Sequence, residues 1–254
     1  MNDTVRTDTA GSALVITIDR PRARNAVDAE VARGIADAVD RLESDPGLRV
    51  GVLTGAGGTF CAGMDLKAAA RGEQVTVPGK GFAGLAEART TKPLIAAVEG
   101  HALGGGFELA LACDLVVAAE GARFALPEVK RGLIAGGGGV VRLPRRVPHH
   151  LAMELLLTGR AITAERAREL GLVNRLTPDG QALPAALELA EEIAANAPLA
   201  LAAVKTTVRR ADGTPEPEAF AAQTAEIGPL LRSADFAEGV RAFTEKREPR
   251  WSGR

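Results

Sequence analysis

Apolar positions follow two alternating rhythms along the first 145 residues. Leu14-Val15-Ile16-Thr17-Ile18 is a short β-rich run, and residues 49–54, 94–98 and 115–118 form similar apolar runs bounded by loops. Short continuous apolar runs of this kind predict buried strands. Between them Val31, Ile35, Val39 and Leu42 recur at helical spacing. That predicts a helix over residues 28–44, with Asp28 as N-cap and Pro46-Gly47 as the stop. Gly55 to Gly58 reads as a loop, and Gly104-Gly105-Gly106 opens a helix running through Phe107 to Cys113. Strands alternating with helices over residues 12–145 predict an α/β architecture.

After residue 147 the strand rhythm stops. Residues 151–157, 163–170, 181–196, 198–210, 217–231 and 234–247 all read as helices, each bounded by Gly, Pro, Asn or Asp. This part is rich in Ala and Leu and carries no catalytic cluster, so it reads as a helical layer or an oligomerisation subdomain. Residues 71–84, with Gly72, Pro78, Gly79, Gly81 and Gly84, predict a flexible loop.

Composition narrows the function. Lys plus Arg number 31 and Asp plus Glu 32 in 254 residues. That balance argues against a non-specific nucleic-acid binder, which shows a basic excess. Cys61 and Cys113 are the two cysteines, and with three His and no CxxC pair the zinc-site spacings are missing. No metal is expected. Both cysteines read as small buried residues. Residues 1–10 are polar and lack the apolar segment of a secretory signal. The most apolar stretch, 94–119, is broken by Glu99, His101, Glu108 and Asp114, so no membrane span is expected. The expected compartment is the cytoplasm.

Several catalytic motifs fail. Gly55-Ala56-Gly57-Gly58-Thr59-Phe60 starts like a dinucleotide fingerprint but has Phe where the third glycine belongs. No phosphate-binding P-loop is present, and the chain has no G-x-S-x-G elbow and only four Ser.

Two segments survive, Phe60-Cys61-Ala62-Gly63-Met64-Asp65-Leu66 and Gly100-His101-Ala102-Leu103-Gly104-Gly105-Gly106-Phe107-Glu108. Each puts small residues where a strand or loop turns into a helix. Such a turn exposes unpaired backbone N–H groups, to which the helix dipole adds partial positive charge. Two of them side by side would make an oxyanion hole from main-chain donors, although the same glycines also suit tight packing alone. Glu108 tips the balance because a carboxylate in the apolar run 107–113 is costly unless paired or functional. A second acid, Glu128, follows in Leu126-Pro127-Glu128, and Gly132 and Gly136 to Gly139 could bring backbone close to a ligand.

Together these segments resemble the crotonase, or enoyl-CoA hydratase, superfamily, and the resemblance runs from Ile18-Asp19-Arg20-Pro21 to Glu245-Lys246-Arg247. It implies an α/β spiral of repeated ββα units over residues 1–195 and a C-terminal helical trimerisation region over 196–254. It implies that the N–H groups of Met64 and Gly105 hold a thioester oxygen, and that Glu108 and Glu128 handle water. Arg22, Ala23, Ala62, Asp65 and Leu66 fall where the family contacts CoA. Gly104, Pro127, Leu133 and Gly136 fall along the substrate site. Phe243 and Lys246 fall where C-terminal residues approach the CoA phosphates, from a neighbouring subunit. The implied partner is an acyl-CoA thioester, with CoA as part of the substrate and no further cofactor. The implied assembly is a homotrimer or a dimer of trimers.

Both acids favour hydration of a trans-2-enoyl-CoA over isomerisation or another crotonase reaction. One departure concerns substrate choice: the position before the glycine loop, often Pro in the family, is Ala135 here, which leaves the loop more freedom to lose on ordering. Gly81-Phe82-Ala83-Gly84-Leu85 and the tail from Phe243 to Trp251 are also similar to crotonobetainyl-CoA hydratases, or carnitinyl-CoA dehydratases. Their substrate carries a quaternary ammonium, which aromatic faces often hold. No Tyr, one Trp and seven Phe argue against a rich aromatic cage.

RNA binding, known in some crotonase relatives, needs a basic groove with stacking aromatics, which this composition disfavours. A non-catalytic acyl-CoA scaffold is disfavoured by the two intact acids. His101, before the glycine turn, could line the site, but a packed or capping role is favoured; His149-His150 carries no assigned chemistry, and Arg142, Arg145 and Arg146 read as a solvated or interface face. Residues 67–90 are expected to shape the acyl pocket.

Overall fold

The computed structural model describes residues 4–254; residues 1–3, the start of the polar N-terminal stretch, lie outside them. Two strands, β1 (Val5–Ala10) and β2 (Ala13–Ile18), form an antiparallel hairpin in which β2 is buried throughout and β1 is mostly open. The sequence reading missed β1. Its alternating Val-Arg-Thr-Asp-Thr-Ala pattern is the signal of an edge strand that covers the core with one face only. Next come α1 (Ala29–Ser44), β3 (Val50–Gly55), α2 (Leu66–Ala70), and the short strands β4 (Thr76–Val77) and β5 (Gly81–Phe82). The Asp28 carboxylate caps α1 by accepting from the Glu30 and Val31 N–H groups, as its position predicts.

The central part contains β6 (Leu94–Val98), β7 (His101–Leu103), α3 (Gly105–Ala112), β8 (Leu115–Ala119) and β9 (Arg123–Ala125). Then follow α4 (Gly139–Arg146), α5 (His149–Thr158), β10 (Ile162–Thr163), α6 (Ala164–Glu169), β11 (Arg175–Thr177) and α7 (Ala182–Ala194). Three longer helices close the chain: α8 (Pro198–Ala211), α9 (Glu216–Leu231) and α10 (Ala234–Glu245).

The main sheet has the order β1-β2-β3-β6-β8-β11 and is parallel from β2 onward, with Val15 beside Val52 and Leu53 beside Ala96. Both faces are covered, which explains the near-continuous apolar runs. Leu14, Ile16 and Leu53 point into a core shared with α1 and α3, while Ala13, Val50, Val52, Ile95 and Val117 pack against Ala182, Ala186 and Ala190 of α7.

A small second sheet, β10-β9-β7, lies beside the first, and Cys61 extends it by bridging Ala102. The chain therefore repeats one path. It runs from a main-sheet strand to a small-sheet position and then to a helix, through β3, Cys61 and α2, and again through β6, β7 and α3. This is the ββα repeat the resemblance implies. These two repeats bring their strand-to-helix turns into contact.

The expected flexible loop at 71–84 is instead a pinned hairpin. Lys80 Nζ donates to the Ala36 carbonyl at 2.7 Å and pairs with Asp40 at 2.6 Å, both on α1. Near the C-terminus, Trp251 Nε1 donates to Ala195 O at 2.7 Å, and Arg49 donates to Trp251 O at 3.4 Å. Among the described residues no helix is long and apolar enough to cross a membrane.

Candidate active site at two strand-to-helix turns

The first turn is fixed by a parallel bridge between Val27 and Met64. Val27 N–H donates to Gly63 O, and Asp65 N–H donates to Val27 O, each at 2.8 Å. Both bonds go to the neighbours of Met64, so the Met64 N–H points away from Val27, and no bond from it occurs among the described residues. Fully buried Asn25 ties the adjoining loops, donating to Ala56 O at 2.9 Å and Thr59 O at 2.6 Å and accepting from Arg20 N–H at 2.9 Å. Arg20 in turn pairs with Asp28 at 3.0 Å and Asp65 at 3.2 Å.

The second turn is at Gly104, whose φ of 54° favours glycine. Its N–H donates to Ala125 O at 2.8 Å, which ties the start of α3 to β9. Gly105 is the first residue of α3, so its N–H has no intrahelical acceptor. The turns touch: a Cβ on Gly63 would lie 3.0 Å from Gly105 N, and one on Gly106 would lie 2.1 Å from Cys61 O. The expected adjacency of the two donor segments is therefore present, and glycine is required there for packing as well.

Glu108, on the first turn of α3, is only 3% exposed. Its Oε1 accepts from the Gly139 N–H at 2.8 Å. Burial, aided by the nearby Glu128 carboxylate, outweighs the Gly139 and Gly137 N–H groups and the Arg142 charge, and pushes its pKa to about 7. Glu128 opens a 3-10 turn over Glu128–Arg131, with Pro127 as its N-cap. Its Oε1 would lie 2.7 Å from a Cβ on Gly104. Its Oε2 is buried and has no hydrogen-bond partner among the described residues. Burial raises this carboxyl above its ordinary pKa. Two unused main-chain donors and two carboxylates of raised pKa thus converge around Gly104 and Gly105. Such a set can hold a developing oxyanion and move protons to and from water.

The other expected site residues divide. Ala62 N–H donates to Arg24 O at 3.0 Å, which brings Ala62, Asp65 and Leu66 beside the turn carrying Arg22 and Ala23. Asp65 is occupied within the chain: it caps α2 through the Lys67 and Ala68 N–H groups and pairs with Arg20. Leu133 and Gly136 lie exposed at the rim of the glycine loop, with Leu133 48% exposed. Phe243 stands on α10 and Lys246 is the helix's C-cap; among the described residues no hydrogen bond or ion pair joins either to Glu108 or Glu128, and Phe243 is 86% exposed.

Two expectations change, and one residue is added. Arg142 does not simply face solvent: its guanidinium turns inward, donating to Gly137 O at 3.3 Å and to Ala86 O. It joins the glycine loop to the segment after β5. Its neighbour Arg145 does face outward, in an exposed pair with Asp212. His101 is exposed on β7 rather than packed, and only its carbonyl has a structural part, accepting from Cys61 N–H at 2.9 Å. Phe82, unassigned from sequence, reaches the cluster: a Cβ on Gly105 would meet its ring at 2.4 Å. The Gly-Phe-Ala-Gly motif marked a turn, but nothing in sequence gave its direction. Ala135 is buried and packs where a Cβ on Gly139 would lie 2.7 Å away. Both cysteines are buried, and burial raises each thiol to about 12. Among the described residues no group of three or more His, Cys, Asp or Glu could hold a metal ion.

Comparison with known proteins gives a consistent picture. Residues 8–254 match the family model described as enoyl-CoA hydratase/isomerase. The chain is 48% identical to the enoyl-CoA hydratase EchA19 of Mycobacterium tuberculosis, over 96% of this chain and 94% of that protein. It is 43% identical to a carnitinyl-CoA dehydratase of Proteus mirabilis, over the full length of both. A crystal structure of an enoyl-CoA hydratase from M. tuberculosis superimposes with a TM-score of 0.97 at 56% identity, covering 99% of each chain.

Proposed function

Since the chain belongs to the enoyl-CoA hydratase/isomerase family, we propose that it adds water across the C2–C3 double bond of a trans-2-enoyl-CoA thioester. It is an enzyme of the hydro-lyase class. In this reading the Met64 and Gly105 N–H groups hold the thioester oxygen. Glu128 takes a proton from water, whose oxygen bonds to C3 as the C2–C3 π electrons move toward the thioester. The enolate that forms is held by the two N–H groups until Glu128 returns a proton to C2. Glu108 holds the same water through Oε2 while Gly139 fixes its Oε1. CoA belongs to the substrate, and the reaction so written uses no resident cofactor.

The observation that carries the reading is Glu128 Oε2: a buried, unpartnered carboxylate oxygen beside an oxyanion turn. Leaving such an atom unpaired costs about 1–3 kcal/mol, a burden expected where the group serves chemistry. The test is the loss of enoyl-thioester absorbance with crotonyl-CoA. Wild type is expected to be rapid and Glu128→Gln slower by about 10²–10⁴-fold. Undiminished activity in Glu128→Gln removes it from the mechanism.

Full-length similarity to carnitinyl-CoA dehydratase supports a second reading, in which the substrate is crotonobetainyl-CoA. Loss of absorbance with that thioester alone selects it.

The proposal extends to binding and assembly. Arg22, Ala23, Ala62, Asp65 and Leu66 would line the CoA path, with Gly104, Pro127, Leu133 and Gly136 along the acyl end. Phe220 of α9 and Phe236, Val240 and Phe243 of α10 are exposed, which suits burial in a homotrimer or a dimer of trimers. Phe243 and Lys246 would then meet the CoA of a neighbouring subunit. Residues 196–254 would form the trimerisation region on a core of 1–195, in a cytoplasmic protein.

A further inference from the structure

We infer that Phe82 is the end wall of the acyl pocket and confines this enzyme to short acyl groups, an inference that rests on the acyl-CoA reading above. The ring lies against both halves of the site. A Cβ on Gly105 would lie 2.4 Å from its Cζ and 2.5 Å from its Cε1. A Cβ on Gly137 would lie 3.3 Å from the Phe82 Cβ and 2.7 Å from Glu108 Oε2. Phe82 therefore spans from the turn that presents the Gly105 N–H to the loop that flanks Glu108. With the thioester oxygen at the turn and C3 between the acids, a chain continuing past C3 on the Glu108 side meets this ring.

The wall is fixed. Phe82 sits between Gly81, with φ 71°, and Ala83, with φ 53°, and Ala83 N–H donates to Val75 O at 2.8 Å. Gly84 rests against α1 so closely that a Cβ there would lie 2.5 Å from Ala32 O. Lys80 anchors the hairpin to α1 before the ring, and Arg142 holds Ala86 O after it. These contacts fix the backbone on both flanks of Phe82, and its ring is packed against Gly105 with its Cβ against Gly137, so the ring sets a length limit. Its apolar ring offers contact to the first carbons beyond C3 and blocks later ones.

The test compares dissociation constants of butyryl-CoA and decanoyl-CoA for wild type, Phe82→Ala and Phe82→Leu. In an open apolar pocket each added methylene tightens binding about fourfold. Wild type is expected to gain nothing from the six extra methylenes of decanoyl-CoA. Phe82→Ala is expected to shift the ratio toward decanoyl-CoA by about tenfold or more, and Phe82→Leu in the same direction by less. Phe82→Leu, which keeps an apolar side chain on the hairpin, carries the test if Phe82→Ala does not fold. A ratio within twofold of wild type in the folded variants overturns the inference. So does wild type already favouring decanoyl-CoA strongly. Hydration of crotonyl-CoA by wild type is measured separately: its absence alongside the expected binding shift overturns the hydratase reading and leaves the wall standing.

Discussion

The Gly139 N–H donates to Glu108 Oε1 at 2.8 Å, so an acid on the first turn of α3 anchors the first residue of α4. This bond orders the run of four glycines, whose conformational freedom is otherwise large. The other Glu108 oxygen, Oε2, lies against Gly137, 2.7 Å from where a Cβ there would stand. One carboxylate thus ties the glycine loop to α3 and, in the proposed reaction, to the attacking water.

That coupling has a pH signature. Glu108 has an ordinary pKa of 4.5 and a folded pKa of about 7. The folded state binds the proton more tightly, so this group's contribution is most favourable below pH 4.5 and declines as pH rises to 7. A shift of this size corresponds to roughly 3 kcal/mol at most. In Glu108→Gln the decline is expected to vanish, and the melting temperature of the variant relative to wild type should climb across that interval. A difference that stays constant from pH 4.5 to 7.5 contradicts the assignment.

Arg142 acts on the same acid as a positioning residue. Its charge lowers the Glu108 pKa, and its hydrogen bonds join Gly137 O to Ala86 O. Arg142→Met is expected to move the Glu108 titration to higher pH and to lower kcat more than it raises KM for crotonyl-CoA. Arg142→Lys should restore part of the pH profile, because it restores the charge without the two-pronged geometry. An unshifted profile in Arg142→Met would limit Arg142 to packing.

Glu128 should trade stability for activity. Its buried, unpartnered oxygen makes the ionised form unfavourable. Glu128→Gln is therefore expected to raise stability at pH 8 by about 0.5–2 kcal/mol while hydration collapses. Denaturant melts of both proteins at that pH check this, and a destabilised variant would contradict it.

The glycines of the second turn should separate function from folding. A Cβ on Gly106 meets Cys61 O at 2.1 Å, a backbone atom, so Gly106→Ala is expected to cost about 1–3 kcal/mol or more. A Cβ on Gly104 meets Glu128 Oε1 at 2.7 Å, and its φ of 54° adds strain. Gly104→Ala should lower kcat strongly even where the fold survives. Circular dichroism and crotonyl-CoA turnover on the same samples distinguish the two effects.

Much of this was legible from residues. The spacing of Val31, Ile35, Val39 and Leu42 with Asp28 before them gave α1, and the apolar runs gave β2, β3, β6 and β8. Glu108 stood out because a carboxylate in an apolar run demands a reason. The elements that escaped are short or depend on tertiary contacts. β7, β9 and β10 have three, three and two residues, too few for a period to show. The direction of Arg142 depends on two carbonyls, Gly137 O and Ala86 O, that reach it only in the folded chain. Phe82 belongs to the same class: its hairpin looks like a loop until Lys80 finds α1.

The C-terminal clasp bears on the order of synthesis. Arg49 and Trp251 O are 202 positions apart, and Trp251 is also the residue that reaches Ala195 at the end of α7. Asp235, 2% exposed, accepts from the Ser252 N–H at 2.6 Å and from the Gly253 N–H at 3.0 Å. Domains emerge from the ribosome N-terminal end first, so the sheet and both strand-to-helix turns can assemble while α10 still lacks the partners that bury Asp235. A nascent chain stalled before Trp251 would carry the two turns but not the locked helical arm. Docking of the helical arm would then be deferred until translation has passed Trp251.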